Sequence, residues 1–304
     1  MKFEVTILGT NAAIPAYERY LSAQIVNVHD RIYMVDCGEG TQFQLNKYDI
    51  RRSRIHQIFI SHLHGDHIYG LPGIITSYSL LGREKPLDIF APKGLEEWIN
   101  LTLKHSYAYL TFKVRFHTFD CDQSTLVFEN ESVEVWTIPL KHRIPTCGFL
   151  FKEKQQSRRI IPEQIVAHQI PVTAIKKIKQ EGADFVTANG KVIPNDLLTL
   201  PAPVPRAYAY CSDTAYTESI IPIIQETDLL YHEATYLSLH EDQTLISLHS
   251  TAREAAKIAK LANVKQLLIG HFSSRYRDID ALREEAATIF PNTLLAKEGL
   301  VLEV

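Results

Sequence analysis

The chain has 304 residues, 45% of them hydrophobic and 22% charged, with a formal net charge of −3; this is enough apolar material for a large core and excludes a disordered chain. Four scattered cysteines, Cys37, Cys121, Cys147 and Cys211, without a CxxC pair, exclude a disulfide-stapled secreted scaffold and suit a reducing cytoplasm. The near-neutral balance rules out nucleic-acid binding as a property of the whole surface and leaves only local patches.

The opening stretch, MKFEVTILGT, enters strand-like alternation at once, with no basic-then-apolar leader, and no run of about eighteen apolar residues follows. A cytoplasmic protein is expected. Short strands rich in β-branched and aromatic residues are predicted at 3–8, 22–28 and 31–36, then a helix near 41–48 and a strand at 55–62. Helical spacing takes over at 68–81. A strand at 87–91 precedes a helix opened by Pro92 and Gly94 that runs to about Ser106.

Residues 112–151 read as several antiparallel strands. From Tyr208 onward, strand and helix alternate to a last strand ending at Val304. The pattern predicts an α+β fold, a single domain over 1–304 in which two mixed sheets pack face to face with helices outside. Residues 152–206 interrupt it as an inserted excursion with six prolines and one short helix around 172–181. That stretch holds nine Lys/Arg against five Asp/Glu, a net of +4, which leaves −7 for the remainder.

The sharpest signal is Ser61-His62-Leu63-His64-Gly65-Asp66-His67, placed where an apolar strand gives way to a helix. Three imidazoles and a carboxylate this close together are hard to bury unless something satisfies their nitrogens, and a metal ion does so. One such run provides about half the ligands of two four-coordinate sites. Candidates for the rest follow other apolar runs: His142 in IPLKHRIP, Asp213 in YCSDTAY and His271 in LLIGHFSSRY. His29, His56, His105, His117, His168 and His240 lack such a context and read as surface or structural histidines.

The His-x-His-x-Asp-His run resembles the signature of the metallo-β-lactamase superfamily. Within it the chain resembles the ribonuclease Z family, through LGTNAAIP at 8–15, DCGEGTQ at 36–42, SHLHGDHIYGLPG at 61–73, PLKHRIP at 139–145, CSDTAY at 211–216, HEAT at 232–235, HST at 249–251 and GHFSSRY at 270–276. The resemblance implies an αβ/βα sandwich and two zinc ions, with manganese or iron as other acceptable metals. One ion would take His62, His64 and His142, the other Asp66, His67 and His271, and Asp213 would bridge them.

It further implies a homodimeric endoribonuclease that removes the 3′ trailer of precursor tRNA after the discriminator nucleotide and leaves a 3′-hydroxyl. Hydroxide held between the two metals would attack the phosphodiester. Asp66 would accept the proton of the attacking water, and His249, oriented by Glu233, would protonate the leaving 3′-oxygen.

The family's substrate-binding arm follows the His142 region, which places it at 152–206 here, with Lys176, Lys177 and Lys179 as phosphate contacts. Its glycine-proline tip is missing, so the arm is expected to be remodelled. The family loop Pro-x-Lys-x-Arg-Asn stands as Pro15-Ala16-Tyr17-Glu18-Arg19-Tyr20, keeping Arg19 as a substrate contact. A related zinc hydrolase of small phosphodiesters, cyclic nucleotides or thioesters would share every metal ligand. A non-catalytic scaffold would have no use for all seven.

Overall fold

The computed structural model describes residues 2–304. They form two compact units, residues 2–152 with 206–304, and residues 153–205.

The larger unit begins with β1 (Phe3–Gly9), β2 (Ala23–Val28), β3 (Arg31–Val35), β4 (Ile55–Phe59), β5 (Leu87–Pro92) and β6 (Val114–Phe119). It continues with β7 (Leu126–Glu129), β8 (Val133–Pro139) and β9 (Cys147–Glu153), and four two-residue strands, β10 to β13, fall between Arg159 and Leu200. It resumes with β14 (Ala207–Cys211), β15 (Leu229–Glu233), β16 (Gln266–Gly270), β17 (Thr293–Leu295) and β18 (Val301–Glu303). One seven-stranded sheet has the order β18-β1-β2-β3-β4-β5-β6, the other β17-β16-β15-β14-β9-β8-β7.

Both sheets are mixed. In the first, β3, β4, β5 and β6 run parallel to one another, while β1, β2 and β18 pair antiparallel. In the second, β14 to β17 are parallel and β9 joins β14 antiparallel.

Period-two alternation decides which side chains meet. Val26, Tyr33, Val35 and Phe59 point from the first sheet into a core shared with Val135, Phe149, Phe151 and Tyr210 of the second. The alternate residues Ile25, Met34 and Ile58 face outward and are covered by the helices Leu71–Leu80 and Leu95–His105. On the other side Ala209, Leu230 and Ile269 lie under the helix Ala252–Leu261, whose buried Ala252, Ala255, Ala256 and Ala259 let it approach the sheet closely. This is the face-to-face sandwich with outer helices that the sequence predicted.

Four details differ from the sequence reading. The strand expected at 55–62 ends at Phe59, so the histidine run lies in the loop beyond it. β6 is parallel to β5 rather than part of an antiparallel set, because the intervening helix Leu95–His105 makes a strand-helix-strand crossover. The single last strand is two, β17 and β18, which belong to different sheets. The smaller unit has three short helices, Pro162–Ala167, Val172–Gln180 and Asn195–Leu198, in place of one.

That unit has its own small core of Ile170, Ile178, Ile193 and Leu198. Ile178 anchors the helix Val172–Gln180, leaving Lys176 and Lys177 exposed and Lys179 half-buried. Among the described residues no helix is long and apolar enough to cross a membrane.

Candidate active site

Every candidate metal residue sits just past the carboxyl end of a strand, where a sheet edge delivers side chains into a shared cleft. His62 and His64 follow β4, Asp66 and His67 open the short helix Gly65–Ile68, His142 follows β8, Asp213 follows β14, and His271 follows β16. Together they form two groups that could each hold a metal ion: His62, His64, His142 and Asp213, and Asp66, His67, Asp213 and His271. Within each group the ligand atoms lie within 4.8 Å of one another.

Asp213 belongs to both groups, one oxygen to each. Its Oδ2 is 3.5 Å from His62 Nε2 and 3.8 Å from His142 Nε2. Its Oδ1 is 3.3 Å from His67 Nε2 and 3.2 Å from His271 Nε2. His64 Nδ1 completes the first group at 3.1 Å from His62 Nε2 and 3.3 Å from His142 Nε2. Asp66 Oδ2 completes the second at 3.6 Å from His67 Nε2 and 3.5 Å from His271 Nε2.

The other ring nitrogens show why these imidazoles suit a cation. His67 Nδ1–H donates to Asp36 Oδ2 at 2.8 Å, and His142 Nδ1–H donates to the Leu248 carbonyl at 2.9 Å. His62 Nδ1 is 3.0 Å from Ser61 Oγ, and His271 Nδ1 is 3.1 Å from Thr235 Oγ1. With Nδ1 engaged, Nε2 presents a bare lone pair to the cluster, the form in which histidine binds metal. His67 Nε2 and His271 Nε2 are buried without a hydrogen-bond partner among the described residues. Orphaned nitrogens facing carboxylate oxygens are costly unless a cation stands between them, so the donor set fits divalent metal ions.

Burial and neighbouring charges compete here. Desolvation, reinforced by neighbouring His67, pushes His62 down to about 4. Burial would raise the carboxyl of Asp213, but His271, His67 and His62 outweigh it and hold the group well below the usual carboxylate range. Asp66 is lowered in the same way by His67 and His271.

Asp36 is the residue whose role the sequence did not reveal, although it stands in the DCGEGTQ stretch. It is fully buried and accepts hydrogen bonds from Ser61 N–H at 2.7 Å, Ser61 Oγ–H at 2.8 Å, Tyr210 O–H at 2.7 Å and His67. The signal was its place at the end of β3, equivalent to that of the other candidates. Asp36, Leu248 and His271 have φ of 56°, 57° and 60°. Such left-handed backbone at residues other than glycine is strained, and here it lies at the points that orient the imidazoles.

Next to the cluster, His249 Nδ1 is 2.8 Å from Glu233 Oε1. Glu233 is fully buried at the end of β15 and also accepts from Thr214 N–H, Thr235 N–H and Thr235 Oγ1–H at 3.0, 3.0 and 2.7 Å. With Nδ1 held, Nε2 is the nitrogen that His249 has free. Burial disfavours charge on this ring, but the Glu233 carboxylate prevails and raises it to about 9. His249 is fixed from behind as well: Ser250 Oγ–H donates to the Thr214 carbonyl at 2.7 Å, and Thr251 and Glu254 form a capping box on the helix Ala252–Leu261.

All this lines a cleft of about 540 Å³ bounded by His64, Asp66, His142, Asp213, His249 and His271. Arg19 does not join it as expected. Its side chain is buried, and its guanidinium donates to Asn11 Oδ1 at 2.8 Å and to the carbonyls of Tyr276 and Arg277 at 2.5 and 3.2 Å. That geometry makes Arg19 a tie between the loops at 11–19 and 276–277 rather than a substrate contact.

Comparison with known proteins agrees with this geometry. The family model described as "Anti-Pycsar protein Apyc1" matches residues 3–161, the half that carries His62, His64, Asp66, His67 and His142. A ribonuclease Z of Parabacteroides distasonis is 49% identical over 99% of this chain and 99% of that protein. The human short-form tRNase Z superposes with a TM-score of 0.70 at 29% identity, covering 98% of each chain. The metallo-β-lactamase fold protein YhfI of Bacillus subtilis, at 21% identity, also reaches a TM-score of 0.70 over 99% of each chain, a likeness of fold alone. The chain therefore belongs to the ribonuclease Z family, within the metallo-β-lactamase fold and the group that the Apyc1 model describes.

Proposed function

We propose that the chain is a zinc-dependent endoribonuclease that removes the 3′ trailer from precursor tRNA, cutting after the discriminator nucleotide. The observation that carries this reading is Asp213, whose two oxygens face two separate sets of side chains that could each hold a metal ion, in a chain whose full-length relatives are named ribonuclease Z. His62, His64 and His142 would hold one ion, Asp66, His67 and His271 the other, and Asp213 both. When bound, two zinc ions supply Lewis acidity, which acidifies a water and neutralises charge on phosphoryl oxygens.

The chain's own residues do the rest. The loops that follow β4, β8, β14 and β16 converge on one phosphate and align its P–O3′ bond. Asp66, fixed by the Ala13 N–H that donates to its Oδ2 at 2.9 Å, takes the proton of the attacking water. His249 gives a proton from Nε2 to the departing 3′-oxygen, with Glu233 holding its ring in place. Water adds to phosphorus, the P–O3′ bond breaks, and the tRNA keeps a 3′-hydroxyl while the trailer carries the phosphate.

Lys176, Lys177 and Lys179, on a helix whose carboxylate partners are absent among the described residues, serve as tRNA phosphate contacts of the 153–205 unit. A homodimer is supported by large exposed apolar side chains on the outer helices, among them Phe43, Leu80 and Leu101. Four free, buried cysteines favour the cytoplasm.

The deciding experiment is incubation of a 3′-extended precursor tRNA with and without chelator, beside bis(p-nitrophenyl) phosphate. Chelator-sensitive cleavage mapped to the discriminator nucleotide is the expected result. Hydrolysis of the small diester with the RNA left intact would favour a small-phosphodiester hydrolase.

A further inference from the structure

The metal cluster can hold one phosphate, yet RNA reaches it as a strand whose neighbouring nucleotides must also be placed. Two residues of the cleft have the chemistry for this and no other evident task.

Arg143 is the only lysine or arginine among the described residues that line the cleft. It follows the metal-facing His142 directly, and its side chain is exposed. One guanidinium nitrogen, Nη2, donates to the Ile246 carbonyl at 2.8 Å, which tethers the group, and it makes no ion pair with a carboxylate among the described residues. A tethered cation with unused donors is suited to a phosphate oxygen.

Tyr69 lines the same cleft from the other metal loop and is 60% exposed. Its ring is backed by Trp98, with centroids 6.0 Å apart and planes 29° from parallel. It also lies over Gly65, between His64 and Asp66, so closely that a Cβ at Gly65 would stand 2.2 Å from the ring. The tyrosine is thus a supported aromatic surface beside the metal residues.

We propose that Tyr69 and Arg143 form a single-strand subsite for the nucleotide next to the cut, its base stacked on Tyr69 and its phosphate on Arg143. This rests on the RNA-cleaving reading above and adds the residues that engage the strand. Stacking on an aromatic ring is tolerant of base identity, because every base has a π face, and an enzyme meeting trailers of different sequence needs that tolerance.

The test uses the full-length enzyme and its Tyr69→Ala, Tyr69→Phe, Arg143→Ala and Arg143→Lys variants, with metal content measured on each preparation. Cleavage kinetics are followed on a precursor tRNA carrying 2-aminopurine beside the cut. Tyr69→Ala should lower kcat/KM by about 5- to 150-fold, the range for removal of one base stack, and abolish the quenching of 2-aminopurine fluorescence on binding. Tyr69→Phe should restore both. Arg143→Ala should flatten the salt dependence of RNA binding by about 0.7, one single-strand phosphate, and Arg143→Lys should retain the slope. Unchanged kcat/KM and quenching in Tyr69→Ala, or an unchanged slope in Arg143→Ala, with the wild type cutting RNA, overturns the subsite alone. A wild type that hydrolyses bis(p-nitrophenyl) phosphate and leaves the RNA intact overturns the parent reading and the subsite with it.

Discussion

The metal cleft and the 153–205 unit solve opposite problems. In the cleft the candidate metal residues and His249 are buried or half-buried, and the second ring nitrogen of several is committed to a specific partner: His67 to Asp36, His142 to the Leu248 carbonyl, His249 to Glu233. In the smaller unit four buried aliphatic residues suffice to hold a helix whose Lys176 and Lys177 are exposed and whose lysines have no carboxylate partners among the described residues. The first arrangement fixes geometry to fractions of an ångström, as bond-making chemistry requires. The second supplies charge without fixed geometry, which is enough for binding phosphates and leaves residue identity freer to change.

If that contrast is correct, substitutions in the two regions should fail in different ways. The largest effect is expected at the proposed proton donor: His249→Ala should reduce turnover of precursor tRNA by about 10²- to 10⁴-fold with metal content unchanged, and a near-normal kcat would remove the residue from the mechanism. A smaller effect is expected one layer behind the ligands. Asp36→Asn loses the carboxylate that orients His67 and should weaken metal binding by about 10- to 100-fold, measured by competition with a chelator of known affinity. An unaltered affinity would show that the ligands hold their geometry without it.

The smallest change belongs to the exposed helix. Replacing Lys176, Lys177 and Lys179 together by alanine should leave the metal site intact and flatten the salt dependence of tRNA binding, by about 0.9 for each duplex phosphate that the lysines no longer neutralise. A slope identical to the wild type would assign RNA binding elsewhere, and a loss of metal would erase the distinction between the regions.

The same contrast governs what was legible in the sequence. The run His62 to His67, and His142, Asp213 and His271 after their apolar strands, could be read as candidate ligands because donors at strand ends leave a local pattern, and the structure brings them together in two groups that could hold a metal ion. The task of Asp36 could not, since it depends on β3 and β4 lying side by side, a pairing that no local periodicity records. Arg19 misled for a related reason: a guanidinium sealed by two backbone carbonyls and an asparagine has the same letter as one reaching for phosphate. The direction of β6 was available in principle, because a helix between two strands of one sheet makes them parallel, but the strand-like composition of 112–151 does not by itself reveal that crossover. The split of the last segment between two sheets hinges on Ala296 to Leu300, where the chain crosses from β17 to β18.

The central claim is that these seven side chains enclose a pair of divalent ions. Crystals of metal-replete protein, measured with X-rays on either side of the zinc absorption edge, test it directly. Two anomalous peaks per chain are expected, one among His62, His64 and His142 and one among Asp66, His67 and His271, with Asp213 reaching both. A folded, metal-replete chain with no anomalous density between those residues would contradict the account.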